Sequence, residues 1–162
     1  MPDQYLANSA DELPDLAMTM SMSGLEFMEK ILAGELPMAP IGKGLNYRLH
    51  SVEPDKVIFR GAPGFDQMNP TGTVHGGWYG TLLDSSMACA VMTRVPKGSI
   101  YTTLEFKVNI IRPIPSGTTV DSIGMVEHAG RSTGVATGKI VGAEDGKLYA
   151  TGSTTCIIMT PK

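Results

Sequence analysis

Three turn signals divide the C-terminal third of the chain into strands that are spaced too closely for parallel pairing. The signals are residue pairs typical of tight turns: Ser116-Gly117, Gly130-Arg131 and Asp145-Gly146. They separate stretches with strand character at about residues 118–128, 132–142 and 147–159. Parallel strands need a crossover of about a dozen residues or more, and the connections here are shorter. The pattern therefore predicts antiparallel hairpins.

The central part of the chain predicts one long helix and one further strand. Residues from about 76 to 94 are almost wholly apolar, with Asp84 as the only charge before Arg94, which indicates a buried helix. In the stretch 101–112, apolar and polar residues alternate, so two sets are expected on opposite faces of a strand. The apolar set is Leu104, Phe106, Val108 and Ile110, and the polar set is Glu105, Lys107 and Asn109.

A short helix and two strands are expected on the N-terminal side. Ser23 and Glu26 have the spacing of a capping box, and Gly34 supplies a stop after apolar residues at helical spacing. Strands are predicted at about residues 45–50 and 56–61.

The length of 162 residues fits one domain. Residues 1–22 are acidic and lack periodicity, which favours a loosely ordered leader, and residues 23–162 are expected to form a single domain. The elements together predict the α+β class. One long central helix would be wrapped by a curved antiparallel sheet, with a short helix on the N-terminal side.

The charge balance and the cysteine content exclude several classes of function. The chain carries 13 Lys plus Arg and 16 Asp plus Glu, a formal net charge of −3, which argues against binding to nucleic acid or to anionic membranes. The two cysteines cannot form a disulfide framework, and no Cys/His spacing fits a metal site. With no secretory signal or membrane-spanning stretch, we expect a cytoplasmic protein without a bound metal.

Asp84 is a candidate for chemistry because of its place in the predicted helix. An ionised carboxylate among apolar residues is costly unless it is paired or faces a cavity. Acids in such places are enriched at sites with tuned pKa values. The structural alternative is a carboxylate bonded by Ser85 or Ser86, or one on a solvated helix face.

The segment ahead of the helix offers backbone amides to a ligand. Glycines in Thr73-Val74-His75-Gly76-Gly77 let a ligand approach amides that have no acceptor within the helix. Those amides and the helix dipole suit a developing oxyanion. The alternatives are a flexible start of the helix and a structural histidine. Asn69 precedes Pro70, which favours extended backbone and fixes the direction of its amide, although an ordinary turn residue fits as well.

One further motif has the wrong surroundings for chemistry. Gly130-Arg131-Ser132-Thr133-Gly134 matches the nucleophile elbow of serine hydrolases, which needs a strand before it and a helix after it. Strands are predicted on both sides here. We therefore interpret the motif as a hairpin turn and reject Ser132 as a nucleophile.

Two segments resemble the hotdog-fold acyl-CoA thioesterases of the phenylacetate-degradation (PaaI-like) type. The first is Asn-Pro-Thr-Gly-Thr-Val-His-Gly-Gly at residues 69–77, with Asp84 nine residues beyond His75. The second is the strand at residues 101–109, followed by Arg112-Pro113. The resemblance covers about residues 24–160. It implies a hotdog fold and hydrolysis of an acyl-CoA thioester to the free acid and CoA, with no cofactor besides the CoA of the substrate.

The resemblance also implies a role for each residue of the motifs. The Gly76 amide would polarise the thioester carbonyl, and Asp84 would act as nucleophile or as general base on a water molecule. Asn69 would orient that water or the carboxylate. His75 would shape the site by hydrogen bonding, and Thr103 would place a hydroxyl group near the carboxylate.

The resemblance places the CoA moiety at the predicted hairpin turn. Gly130, Arg131 and Ser132 lie where relatives contact CoA, so Arg131 would pair with a phosphate. These residues do not indicate which acyl group the substrate carries.

Helix geometry sets a condition on this site. Nine residues separate His75 from Asp84, which in a helix is about 900° of turn and about 13.5 Å of rise. Asp84 therefore points away from His75 and cannot reach a carbonyl held at its own Gly76. If both act on one thioester, Asp84 must come from another subunit, so a homodimer is the minimum functional unit. The resemblance implies a homotetramer of such dimers.

Two other functions fit the same architecture. A dehydratase or hydratase of acyl thioesters would use a catalytic histidine together with an acid, and here the acid stands in a helix with no histidine near it in sequence. A non-catalytic acyl-CoA-binding protein would be expected to lack the acid or to carry a DNA-binding segment. We favour the thioesterase.

Overall fold

The structure is a computed structural model that describes residues 4–161. Its helices are α1 (Leu16–Met20), α2 (Gly24–Ala33), α3 (Ile41–Gly44) and α4 (Gly76–Met92). Its strands are β1 (Tyr47–Glu53), β2 (Lys56–Gly61), β3 (Ile100–Ile110), β4 (Val120–Ala129), β5 (Thr133–Gly142) and β6 (Leu148–Met159). Single 3₁₀ turns lie at Ala10–Glu12 and Phe65–Gln67.

The six strands form one antiparallel sheet in the order β1-β2-β4-β5-β6-β3. The strands β1 and β3 lie at its two edges. The long helix α4 packs against β2, β3, β4, β5 and β6, and its Ser85 bonds to Tyr47 of β1, so the curved sheet wraps around it. This is the hotdog architecture, and the predicted fold class and antiparallel hairpins are confirmed.

Helix α4 is the centre of the hydrophobic core. Eleven of its 17 residues are buried, among them Leu82, Leu83 and Met87. Its other core partners come from the inner face of the sheet, such as Val57 and Ile140, which are fully buried. Within residues 4–161, no helix is long and apolar enough to cross a membrane.

Small residues let α4 lie directly against the middle of the sheet. The hydroxyl groups of Ser86 and Ser122 are hydrogen-bonded at 2.7 Å, and both residues are fully buried. Beside this bond, a Cβ atom on Gly124 would collide with the backbone carbonyl of Ser86. The glycine therefore sets how closely the helix backbone approaches β4.

Helix α2 begins and ends where the sequence predicted a short helix. Ser23 accepts a hydrogen bond from the amide of Glu26 at 3.3 Å, which caps α2. Gly34 ends the helix in the left-handed conformation, with φ = 77°. Residues 4–22 include α1, and Leu6 pairs with Met38 in an isolated bridge. The division of the chain into a leader at 1–22 and a domain at 23–162 stays a prediction.

The alternation predicted for the strand at 101–112 holds for Phe106, Val108 and Ile110, which face the helix side, and is interrupted at Leu104, which is exposed. A β-bulge between Thr103 and Glu105 shifts the pairing of β3 with β6, and an extra residue exchanges the faces of all that follow. Thr103 bonds to Asp84 of α4, and a Cβ atom on Gly80 of α4 would lie 3.4 Å from the ring of Phe106. Strict alternation would have put Thr103 and Phe106 on opposite faces.

The close approach at Gly124 gives a test of this packing. Gly124→Ala is expected to lower the free energy of unfolding by about 1–3 kcal/mol, because the added methyl group meets backbone that cannot rotate away. The matched control is Gly44→Ala, where an added Cβ has nothing within 4 Å, and stability should be unchanged or slightly raised. Urea denaturation of the three proteins measures the difference. Equal stability of the two variants would contradict the direct contact of α4 with β4.

Candidate active site

A tight loop sets the start of α4. Asn69 donates its amide to the carbonyl of Thr73 at 2.7 Å and accepts from the amide of Gly72 at 2.9 Å. Gly72 has φ = 78°, the left-handed conformation that glycine adopts without strain. The amide of His75 then donates to the carbonyl of Gln67 at 2.8 Å. The loop thereby holds His75 at the N-cap of the helix.

His75 leaves one amide at the helix start without an acceptor. Its Nδ1 accepts a hydrogen bond from the amide of Gly77 at 2.9 Å. The amide of Gly76 has no acceptor within residues 4–161, and Gly76 is exposed. A free amide at the positive end of a helix dipole suits a partly negative oxygen.

The side chain of Asn69 is held by its own loop. Its Nδ2 donates to Oγ1 of Thr73 at 3.1 Å and to the carbonyl of Val74 at 3.4 Å. With the nitrogen engaged, the group that Asn69 can offer to a ligand is its oxygen, which only accepts hydrogen bonds.

Asp84 lies on the third turn of α4 and faces the edge strand. One of its carboxylate oxygens accepts a hydrogen bond from Oγ1 of Thr103 at 3.0 Å. Burial raises the pKa of Asp84, and the bond from Thr103 offsets only part of that shift. The structure thus brings Thr103 to the carboxylate, and the bulge in β3 lets both Thr103 and the residues beyond it face α4.

The structure does not bring Asp84 and Gly76 of one chain together. The two residues are separated by eight positions of regular helix, or about 12 Å along its axis. They also lie against different parts of β3. A Cβ atom on Gly76 would lie 3.5 Å from Cδ1 of Ile110, whereas Asp84 contacts Thr103.

The segment from Gly130 to Ser132 is a hairpin turn between β4 and β5, as predicted. The amide of Gly130 donates to the carbonyl of Thr133 at 2.8 Å, and all three residues are exposed. Arg131 has no ion-pair partner within residues 4–161. The turn lies toward the C-terminal end of α4, because a Cβ atom on Gly134 would contact Val91.

Sequence reasoning missed a cavity of about 430 Å³ next to Asp84. Ser85 and Cys89 of α4 line one wall, and Tyr101 of β3 lines it beside them. The spacing of Ser85, Cys89 and Met92 is that of one helix face, which is the signal that the sequence contained. Within the described part of the chain, no group of three or more His, Cys, Asp or Glu residues is arranged to hold a metal ion.

Comparisons with known proteins find similarity in sequence and in fold. Residues 71–149 match the family model described as the thioesterase superfamily. A variant of the phenylacetic acid degradation protein PaaI from Thermus thermophilus is 26% identical, with a TM-score of 0.67 over 74% of this chain and 98% of that one. The comparison with curated proteins gave no match.

Two further solved structures have the same fold. A phenylacetic acid degradation-related protein from Ralstonia eutropha is 26% identical, with a TM-score of 0.73 over 81% of this chain and 98% of that one. A thioesterase family protein from Silicibacter pomeroyi is 23% identical, with a TM-score of 0.74 over 86% of this chain and all of that one. The predicted resemblance to hotdog-fold thioesterases of the phenylacetate-degradation type is confirmed.

The raised pKa of Asp84 has a consequence for stability. A carboxyl group whose pKa is higher in the folded than in the unfolded state favours folding below its unfolded pKa, and that contribution is lost as the pH rises through the folded pKa. Asp84→Asn, which stays neutral, should therefore be more stable than the natural protein at pH 7. The advantage should vanish at about pH 3, where Asp84 is protonated in both states.

Urea denaturation across this pH range tests the expectation. Asp11→Asn is the matched control, because Asp11 is exposed, and its stability should follow that of the natural protein at both pH values. A variant Asp84→Asn that is less stable at pH 7 would contradict the burial cost at this position.

Proposed function

We propose that this hotdog-fold protein, similar in fold and in its central segment to the thioesterase superfamily, hydrolyses an acyl-CoA thioester to the free acid and CoA. The observation that carries the proposal is the placement of two groups along one edge strand. A carboxylate with a raised pKa lies beside Thr103, and a free helix amide lies beside Ile110. Thioester hydrolysis needs both, one to activate water or attack and one to stabilise the oxyanion.

The edge strand β3 favours pairing with a second copy of the chain. It has a neighbour only on the β6 side, and an unpaired edge is a template for another strand. Apolar side chains along it are exposed: Leu104 by 61%, Phe106 by 46% and Ile110 by 50%. A run of exposed apolar side chains on an edge marks an interaction surface.

Simple register arithmetic shows what such a pair would do. Leu104 is the extra residue of the bulge, so Thr103 and Ile110 each lie three pairing positions from Lys107. If two β3 strands pair antiparallel about a two-fold axis at Lys107, residue 103 stands opposite residue 110 of the other copy. Asp84 lies beside Thr103, and Gly76 lies beside Ile110. The carboxylate of one subunit then faces the free amide of the other. The proposed unit is a homodimer with two composite sites, and a homotetramer of such dimers is the proposed assembly.

In the proposed reaction the Gly76 amide holds the thioester oxygen as it becomes negative. Asp84 of the other subunit takes a proton from water while the water oxygen bonds to the thioester carbon, or its carboxylate attacks that carbon directly. The C–S bond then breaks, and CoA leaves as the thiolate. On the direct route this leaves a mixed anhydride between the acyl group and Asp84, which a water molecule then hydrolyses to the free acid and the carboxylate. Asn69 supports the water route, because its free oxygen would accept a hydrogen bond from the water. The raised pKa of Asp84 makes it a stronger base.

His75 fits a positioning role and not that of a base. Its Nδ1 accepts the Gly77 amide, so the proton of the neutral ring lies on Nε2, which can only donate. A dehydratase would need this histidine to take a proton. In the proposed enzyme, Gly130, Arg131 and Ser132 contact CoA, with Arg131 on a phosphate, and no further cofactor takes part.

The first test is turnover of the Asp84→Asn variant. It should keep the fold and its affinity for CoA, while hydrolysis of acyl-CoA falls by orders of magnitude, because the amide neither accepts a proton nor attacks. Thiol release across aromatic, short-chain and longer-chain acyl-CoAs measures it. Asp11→Asn serves again as the control and should match the natural protein. Near-normal turnover of Asp84→Asn would remove Asp84 from the mechanism.

The second test asks whether the site is shared. Gly76→Val should also be nearly inactive, because its methyl groups block the amide. Its Cβ atom would lie at an ordinary contact distance from Ile110, so the variant should still fold. Unfolding the Asp84→Asn and Gly76→Val variants together and refolding them gives hybrids in half of the dimers. Each hybrid has one site with both lesions and one with neither, so activity should return to about a quarter of the natural level.

Each variant refolded alone is the control for this experiment and should stay inactive. Mass spectrometry confirms that subunits have exchanged. If confirmed hybrids are as inactive as their parents, the site is contained in one chain or does not use both residues.

A further inference from the structure

The cavity of about 430 Å³ lies between the N-terminal helices and the body of the fold. Leu16 of α1 and Ile31 of α2 line its outer side, and Leu49 and Phe59 of the first two strands line its floor. Ser85, Cys89 and Met92 line its inner side. All of the outer side and the floor lie outside residues 71–149, which match the thioesterase family model.

No charged side chain lines this cavity in the described part of the chain. The hydroxyl groups of Tyr47 and Ser85 lie 3.0 Å apart, and the hydroxyl of Thr19 donates to the carbonyl of Asp15. The thiol of Cys89 and the hydroxyl of Tyr101 are the other polar side-chain groups of the lining. Burial raises the pKa of Cys89 to about 12 and raises those of both tyrosines. The walls are thus neutral at physiological pH, and a charged group inside would lose its hydration without gaining a partner.

The cavity adjoins the carboxylate of the proposed site. Ser85, on its wall, is the residue after Asp84. Tyr101, also on its wall, precedes Thr103 by two positions on β3 and so lies on the same face of the strand. A group that extended from the site into the cavity would pass between α4 and the start of β3, next to the hydrogen bond from Thr103 to Asp84.

We propose that this cavity is the acyl pocket, that the substrate carries an uncharged, apolar acyl group of medium length, and that Ile31 of α2 sets the limit of its length. The proposal rests on the proposed function. The N-terminal helices, which the matching family segment does not include, then decide which acyl group is accepted.

The size of the cavity supports a medium length. A volume of 430 Å³ lies in the range of ligand pockets. A methylene group takes about the volume of one water molecule in the liquid, about 30 Å³. With gaps between the chain and the walls, the cavity has room for roughly eight to twelve carbons.

The test uses S-alkyl-CoA thioethers, which lack the carbonyl and cannot be hydrolysed. Calorimetry on the intact protein measures their dissociation constants as the alkyl chain is lengthened from two to sixteen carbons. Affinity should rise by about fourfold with each methylene and reach a plateau at roughly eight to twelve carbons. A thioether with a carboxylate at the end of an eight-carbon chain should bind at least tenfold more weakly than its uncharged counterpart.

Substitutions at Ile31 should move the plateau in opposite directions. Ile31→Trp, which fills the cavity, should move it to shorter chains, and Ile31→Ala should move it to longer ones. Leu32 is the matched control: it is the next residue of α2 and is half-buried, but it does not line the cavity. Leu32→Trp and Leu32→Ala should keep the natural plateau. Circular dichroism checks that each variant is folded.

The outcomes separate this proposal from the proposed function. If affinity does not depend on the length of the alkyl chain, or if the plateau stays fixed in both Ile31 variants, the assignment of the cavity as the acyl pocket is overturned, even if acyl-CoA is hydrolysed. A plateau that moves as expected supports the pocket, and failure to hydrolyse any acyl-CoA then overturns only the proposed function.

Discussion

The contact between helix α4 and the middle of the sheet is the constraint on which the rest of the structure depends. It is a backbone contact, made possible by Gly124 and fixed by the buried bond between Ser86 and Ser122. Because the helix cannot shift without breaking it, the position of every side chain on α4 relative to the strands is set. The free amide of Gly76, at the start of the helix, and the carboxylate of Asp84, at its middle, are therefore held apart on one rigid element.

Because α4 is rigid, the Gly76 amide and the Asp84 carboxylate of one chain stay apart, and the edge strand β3 is the element that passes both. The bulge in β3 turns Thr103 toward Asp84 while Phe106 and Ile110 also face the helix. The same strand therefore passes both halves of the proposed site and ends in an exposed apolar edge. The one-residue bulge in β3 thus lets a single strand contact Asp84 through Thr103 and also supply the exposed edge that a second copy would cover.

The burial that raises the pKa of Asp84 has a cost for the fold and a use in the proposed chemistry. The bond from Thr103 stabilises the ionised form without removing the shift, so the carboxylate stays both oriented and basic. The neutral hydroxyl and thiol groups nearby add no charge that would compensate it. The neutral walls of the cavity thus favour an uncharged ligand, and the burial of Asp84 makes its carboxylate a stronger base.

The sequence by itself determined the α+β class, the antiparallel hairpins and the long helix, because turn pairs and hydrophobic periodicity are local signals. It also placed Asn69, His75 and Gly76 in one loop at the helix start, since these residues are neighbours in the chain. Tertiary structure alone decided that Thr103 faces α4 together with Phe106, because one bulge interrupts the alternation at Leu104. Tertiary structure also formed the cavity, because its walls bring together Ile31, Leu49 and Ser85 from distant segments. Contacts between distant segments produce no periodic pattern in the sequence.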